Sequence, residues 1–206
     1  MKTDIQLLIF DLGNVIFDID SNKTFNYWSE LTGLKPEFLK EMFFSGNDYI
    51  SYELGETSEE RFRQSFSKKI NFNISKDDFI YGFNLMITGV SDGMEELLGF
   101  LDNKYFLAVL SNTNRTHEKY IMQNYTSIMT YFDKLFFSHR IKCRKPEKKI
   151  FQIVLEYFNV IPENVMFFDD VEENINSGIE FGLNSFLISK NQSFQIKEIL
   201  KKYCLI

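Results

Sequence analysis

Five short apolar runs constrain this chain more than any other feature. Residues 5–10, 105–110, 134–137, 165–168 and 185–188 are each rich in apolar side chains, the pattern of strands buried on both faces of a parallel sheet. Amphipathic segments lie between the later runs. Ile150, Ile153, Val154, Tyr157 and Phe158 fall at steps of three and four, so the spacing predicts a helix over residues 146–159. Pro146 fits its first turn, where no backbone N–H is required. Ile175, Ile179 and Phe181 mark another helix, closed by Gly182. Strand and helix in alternation predict an α/β fold built on a doubly wound parallel sheet.

Residues 20–88 break that rhythm. No clear strand is read there, and the spacing predicts helices over residues 23–31, 36–44, 58–70 and 75–86. Ser58 and Ser75, each followed by acids, suit the N-caps of the last two. The expected organisation is therefore a core made of residues 1–18 and 89–206. A small all-helical domain over residues 19–88 is inserted after the first strand, with hinges at 18–20 and 89–93. On the first of these helices Phe25, Trp28 and Leu31 read as an inner, packed face.

Charge and length exclude several functions. The chain has 206 residues and a formal net charge of −6, so it lacks the broad positive field that holds nucleic acid or anionic lipid. An anionic substrate would have to be attracted by local groups or by a metal. The first apolar run is stopped by Asp11 and the next is cut by Asp18 and Asp20, which is too short and too charged for a signal peptide or membrane span. Cys143 and Cys204 are far apart and read as reduced thiols. The expectation is a cytoplasmic protein, favoured as a monomer.

In open α/β sheets ligands bind beyond the carboxyl ends of the strands, so the residues ending each run carry the argument. The first run ends in Asp11, the second in Ser111-Asn112-Thr113 and the fourth in Asp169-Asp170. Arg144-Lys145-Pro146 stands just before the helix that follows the third. Three carboxylates so close raise one another's pKa unless a cation sits among them. An oxygen-only set suits Mg²⁺, which keeps several waters and shares a substrate phosphate. Lys145 adds a positive charge, Ser111 a donor, and an Asp carboxylate can itself attack phosphorus.

Four stretches, Phe10-Asp11-Leu12-Gly13-Asn14-Val15, Ser111-Asn112-Thr113-Asn114-Arg115, Arg144-Lys145-Pro146 and Phe167-Phe168-Asp169-Asp170, resemble the four ordered motifs of haloacid dehalogenase-like hydrolases. Their wording, with His117 and Asn174 nearby, is similar to that of α-D-glucose-1-phosphate phosphatases within that superfamily. The resemblance implies a Mg²⁺-dependent phosphatase of sugar phosphates, with Asp11 as the nucleophile that is transiently phosphorylated. It also implies metal ligation by Asp11, the Gly13 carbonyl and Asp170. Asp169 would orient a metal-bound water or stand behind the ligands. Ser111 and Asn112 would hold phosphoryl oxygens, and Lys145 would bridge nucleophile and phosphate.

One departure stands out. Phosphatases of the superfamily usually carry a second Asp two positions after the nucleophile, as general acid, and here that position is Gly13. A leaving group that tolerates poor protonation, such as the anomeric oxygen of glucose 1-phosphate, fits the gap. His117 and Asp18 are the replacement acids suggested by position. Asp18, Asp20, Trp28 and Tyr49 are the residues near the insertion that could meet a sugar ring. The alternatives are a weakly catalytic phospho-ligand binder and a C–halogen hydrolase, against which the paired acids Asp169-Asp170 argue.

Overall fold

The computed structural model describes residues 4–189 and 194–206. Five parallel strands, β1 (Leu7–Phe10), β4 (Phe106–Ser111), β5 (Lys134–Phe137), β6 (Val165–Asp169) and β7 (Asn184–Leu187), form one sheet in the order β5-β4-β1-β6-β7. β1 is central and its four side chains are fully buried, because both faces are covered. Strand alternation divides them: Leu8 and Phe10 join Val109 and Phe168 on one face, whereas Leu7 and Ile9 join Leu110 and Phe167 on the other. Burying each such side chain contributes about 1.5–3 kcal/mol.

Helices α6 (Met94–Leu101), α7 (Arg115–Asn124), α8 (Thr126–Met129) and α12 (Phe194–Lys202) pack on the first face. Helices α10 (Lys148–Phe158) and α11 (Glu172–Phe181) pack on the second. The single turn α9 (Ser138–Ile141) follows β5. The predicted position of Pro146 is corrected here. α10 begins at Lys148, and Pro146 lies ahead of it after a cis Lys145–Pro146 peptide. Gly182 closes α11 at φ 103°, a left-handed conformation in which glycine meets no steric penalty.

The helical cap consists of α1 (Ser21–Thr32), α2 (Pro36–Phe44), α3 (Asp48–Glu53), α4 (Glu59–Lys69) and α5 (Lys76–Asn84). Ser58 and Ser75 cap α4 and α5 through their hydroxyls, as expected. The short α3 was not anticipated, nor was the ribbon that carries the cap: β2 (Phe17–Ile19) pairs antiparallel with β3 (Ile87–Val90). Runs of three and four residues that hold an Asp and a Gly give little strand signal.

Trp28 is the centre of the cap core. Its indole stacks on Phe79 at 5.3 Å and packs against Phe25, Phe43, Phe66 and Phe83. Gly82 on α5 lets this happen, since a Cβ there would run into the indole Nε1 and stand 2.7 Å from the Tyr27 ring. Leu31 departs from the predicted inner face and is exposed.

The cap rests on the core through buried polar contacts. The Tyr52 hydroxyl lies 2.5 Å from Thr116 Oγ1, which donates to Glu59 at 2.6 Å. Ser138 Oγ donates to the Glu53 carbonyl at 2.6 Å, and Arg144 Nη2 to the Glu53 carboxylate at 2.9 Å. Among the described residues no helix is long and apolar enough to cross a membrane. Cys143 and Cys204 are free.

Candidate active site

The carboxyl ends of β1, β4 and β6 deliver the chemistry. Asp11 follows β1 and is fixed by its backbone N–H, which donates to the Phe168 carbonyl at 2.9 Å. Ser111 ends β4 and Asp169 ends β6. Lys145 comes from the loop between α9 and α10 and is only 1% exposed. Its ammonium lies 2.8 Å from Asp11 Oδ1, 2.6 Å from Asp169 Oδ2 and 2.7 Å from the Leu110 carbonyl. A charge so buried is tolerable only with partners of this kind.

Asn112 sets that loop in place. Its Oδ1 accepts from the Lys145 N–H and its Nδ2 donates to the Lys145 carbonyl, both at 2.9 Å. The side chain that sequence reasoning assigned to phosphoryl oxygens thus also positions the lysine.

Asp11, Asp169 and Asp170 each offer an oxygen within 4.8 Å of the others. Burial pushes the Asp11 carboxyl up to about 7; Lys145 pulls it down, while Asp169 and Asp170 push it further up. Burial opposes the charge on Lys145, yet Asp11 and Asp169 hold its pKa above the ordinary value. Asp169 is saturated: it accepts from Lys145, from the Val171 N–H at 2.8 Å and from Asn174 Nδ2 at 3.0 and 3.1 Å. Asp170 accepts from Asn14 Nδ2 at 2.7 Å. An all-oxygen set in which burial, and then Asp169 and Asp170, disfavour the charge on Asp11 fits a hard divalent cation. Asp11 and Asp170 are the acids placed to ligate it. Gly13, whose carbonyl is the third expected ligand, lines the same cavity.

That cavity, about 190 Å³, lies between the strand ends and the cap. Ser111, Asn112, Asp11 and Asp170 form its floor, and Ile19, Tyr49, Met86 and Ile87 contribute from the cap side. Two residues nominated for proton donation do not suit it. Asp18 is absent from the lining, and its carboxylate accepts from Ser91 Oγ at 2.6 Å. His117 does line the cavity, but its ring is buried against Phe83 and its pKa is lowered to about 4, first by burial. Of the residues nominated to meet a sugar ring, Trp28 is sealed in the cap core and Asp20 caps α1. Tyr49 remains.

Sequence reasoning gave no role to Asn14, Asn174 or Glu53. Asn14 sits at φ 57°, a left-handed conformation that Asn tolerates better than most residues, which aims its amide at Asp170. Its presence in an Asp-Leu-Gly-Asn stretch was the available signal. Glu53 pairs with a residue 91 positions away, and no local pattern reveals that.

Comparison with known proteins agrees with this geometry. The profile of haloacid dehalogenase-like hydrolases matches residues 5–182. A D-ribitol-5-phosphate phosphatase of Bacteroides thetaiotaomicron is 27% identical over 191 residues, covering 88% of this chain and 91% of that protein. A phosphorylated carbohydrates phosphatase of Thermotoga maritima is 29% identical over 91 residues, covering 44% of this chain and 42% of the relative. Among solved structures, a HAD-family enzyme of Bacteroides thetaiotaomicron in complex with magnesium and inorganic phosphate aligns with a TM-score of 0.82 at 26% identity. The alignment covers 90% of this chain and 95% of that one.

Proposed function

Because the chain belongs to the haloacid dehalogenase-like hydrolase family, we propose that it is a magnesium-dependent phosphatase of small sugar or polyol phosphates, working through an aspartyl phosphate on Asp11. The observation that carries this reading is the buried row Asp11–Lys145–Asp169 with Asp170 beside it. Such a crowd of charge asks for a cation and an anion together. Relatives named for ribitol 5-phosphate and phosphorylated carbohydrates, and a neighbour holding magnesium and phosphate, support the substrate class and the metal.

The roles follow from position. Asp11, Asp170 and the Gly13 carbonyl hold Mg²⁺, which neutralises charge on the transferring group when bound. Ser111 and the backbone after it receive phosphoryl oxygens, while Lys145 faces both nucleophile and phosphate. An Asp11 oxygen attacks phosphorus and the bond to the leaving oxygen breaks. Gly13 offers no proton, so that oxygen takes one from water. A water molecule then attacks the phosphorus of the aspartyl phosphate, releasing phosphate and restoring the carboxylate. Asp169 holds Lys145 and the turn at Val171. α-D-Glucose 1-phosphate belongs on the substrate panel because its anomeric oxygen leaves readily without an acid.

Phosphate release from a panel of sugar phosphates, polyol phosphates, nucleotides and p-nitrophenyl phosphate tests this, with and without Mg²⁺ and beside Asp11→Asn. Metal-dependent release that falls at least roughly 10³-fold in the variant is the expected result. A folded, metal-binding protein that releases no phosphate from any ester would sink the reading and favour a binding role.

A further inference from the structure

Lys145 is fixed from two sides. On the core side, Asn112 grips its backbone with both ends of its amide. On the other side, the segment that carries it is tied to the cap. Arg144 Nη2 donates to the Glu53 carboxylate at 2.9 Å, Ser138 Oγ to the Glu53 carbonyl at 2.6 Å and Lys142 Nζ to the Gly55 carbonyl at 2.5 Å. The cap backbone comes down directly on α9, since a Cβ at Gly55, which sits at φ 62°, would run into the His139 carbonyl.

Glu53 is where these ties meet. It is 4% exposed, and its two polar ends lead to two of the segments that hold the reacting groups. Its carboxylate holds Arg144, and the next residue, Lys145, reaches Asp11 at 2.8 Å and Asp169 at 2.6 Å. Its carbonyl accepts from Ser138 Oγ, which accepts in turn from the Thr113 N–H at 3.0 Å, at the end of the Ser111-Asn112-Thr113 turn. Neither Glu53 nor Arg144 lines the cavity, so neither is placed to touch a substrate there. The Tyr52–Thr116 contact also joins cap to core, but it makes no bond to the segment that carries Lys145.

We propose that Glu53 is a positioning residue of the catalytic centre: with the cap seated, its hold on Arg144 and Ser138 aligns Lys145 and the Thr113 turn for phosphoryl transfer. This rests on the phosphatase reading above and deepens it. One anchor of the lysine lies in the core and the other in the cap. Loss of the cap anchor lets the loop, and the ammonium it carries, settle away from its working place. A small displacement of such a group slows the chemical step, while the cavity that binds the substrate keeps its lining.

The test measures kcat and KM, at saturating Mg²⁺, on the ester of the panel above that the wild type hydrolyses fastest. Glu53→Gln keeps the shape of the side chain and removes its charge, and Arg144→Met removes the other partner. Each lowers kcat by about tenfold to a hundredfold, with KM within about twofold of wild type. The double variant is no slower than the slower single one, because both break the same tie. Arg144→Lys restores a point charge and recovers about threefold or more of the kcat lost in Arg144→Met. Tyr52→Phe severs a cap–core bond away from the lysine and keeps kcat within about twofold. A kcat loss in Tyr52→Phe equal to that in Glu53→Gln would mean that cap docking alone matters, and would overturn the assignment. Losses that multiply in the double variant, losses carried by KM, or an unchanged kcat in both single variants would do the same. Circular dichroism checks the fold of each variant, and Glu53→Gln with Arg144→Lys keeps the comparison readable should Arg144→Met fail to fold. A wild type that hydrolyses no ester of the panel overturns the phosphatase reading itself, which separates the two failures.

Discussion

His117 provides a sharp test of the site's electrostatics, because its hydrogen bonds dictate one protonation state. Asn114 Oδ1 already accepts from the N–H groups of Thr116 and His117, so its Nδ2 donates to His117 Nδ1 at 3.3 Å. The ring proton therefore sits on Nε2 and donates to the Phe83 carbonyl at 3.2 Å. A second proton on Nδ1 would face the amide hydrogens of Asn114 inside a buried site. Burial lowers the pKa from 6.5 to about 4. Above pH 6.5 both folded and unfolded states are neutral here, and the site contributes its full stability. As pH falls from 6.5 towards 4 the unfolded chain binds a proton that the folded one refuses, and stability is lost. Integrated to about pH 4.5, the loss is about 2–3 kcal/mol. Urea unfolding followed by far-UV circular dichroism at about pH 7.5, 6 and 4.5, on wild type and His117→Gln, reads it directly. The variant is less stable at neutral pH, because two hydrogen bonds change, but it loses about 2–3 kcal/mol less on acidification. Parallel losses in the two proteins would refute the reasoning, and would return His117 to contention as a proton donor.

Three further outcomes are expected. Lys145→Met leaves Asp11 and Asp169 facing each other without their shared cation, costing about 3–5 kcal/mol in chemical denaturation and abolishing turnover. Mg²⁺ at a hundred times its Kd stabilises the wild type by about 2.7 kcal/mol; a thermal melt detects this, and Asp170→Ala forfeits most of it. Gly82→Ala drives a methyl into the Trp28 indole, so the cap loses about 1–3 kcal/mol, measured as a lower urea midpoint.

The sequence was legible where local pattern and global position coincide. β1 is an apolar run closed by Asp11, and in a parallel sheet the end of a central strand is where a ligand can reach a carboxylate. Asp11, Ser111, Lys145 and Asp169 could therefore be gathered before any coordinates. Contacts that depend on partners distant in the chain were not legible. The partner of Arg144 is Glu53, on a helix of six residues too short to leave a periodic trace. The second task of Asn112 was hidden, because nothing local announces that both ends of its amide grip the Lys145 backbone. Pro146 was placed in a helix on propensity alone, whereas the turn tying Glu147 N–H to the Arg144 carbonyl at 2.9 Å delays the helix to Lys148. His117 illustrates the same limit, since a histidine's usefulness as an acid depends on burial that its neighbours in sequence do not disclose.

Trp28, buried among phenylalanines, is the single tryptophan of the chain, and this has a practical consequence for spectroscopy. Indole emission shifts when water reaches the ring, and here water reaches it only when the cap opens its own core. The sheet contributes no tryptophan signal, while the amide circular dichroism of the whole chain is dominated by neither part alone. A fluorescence melt of this protein is consequently a melt of its cap. Any gap between that curve and the dichroism curve measures how far cap and sheet unfold as separate cooperative units.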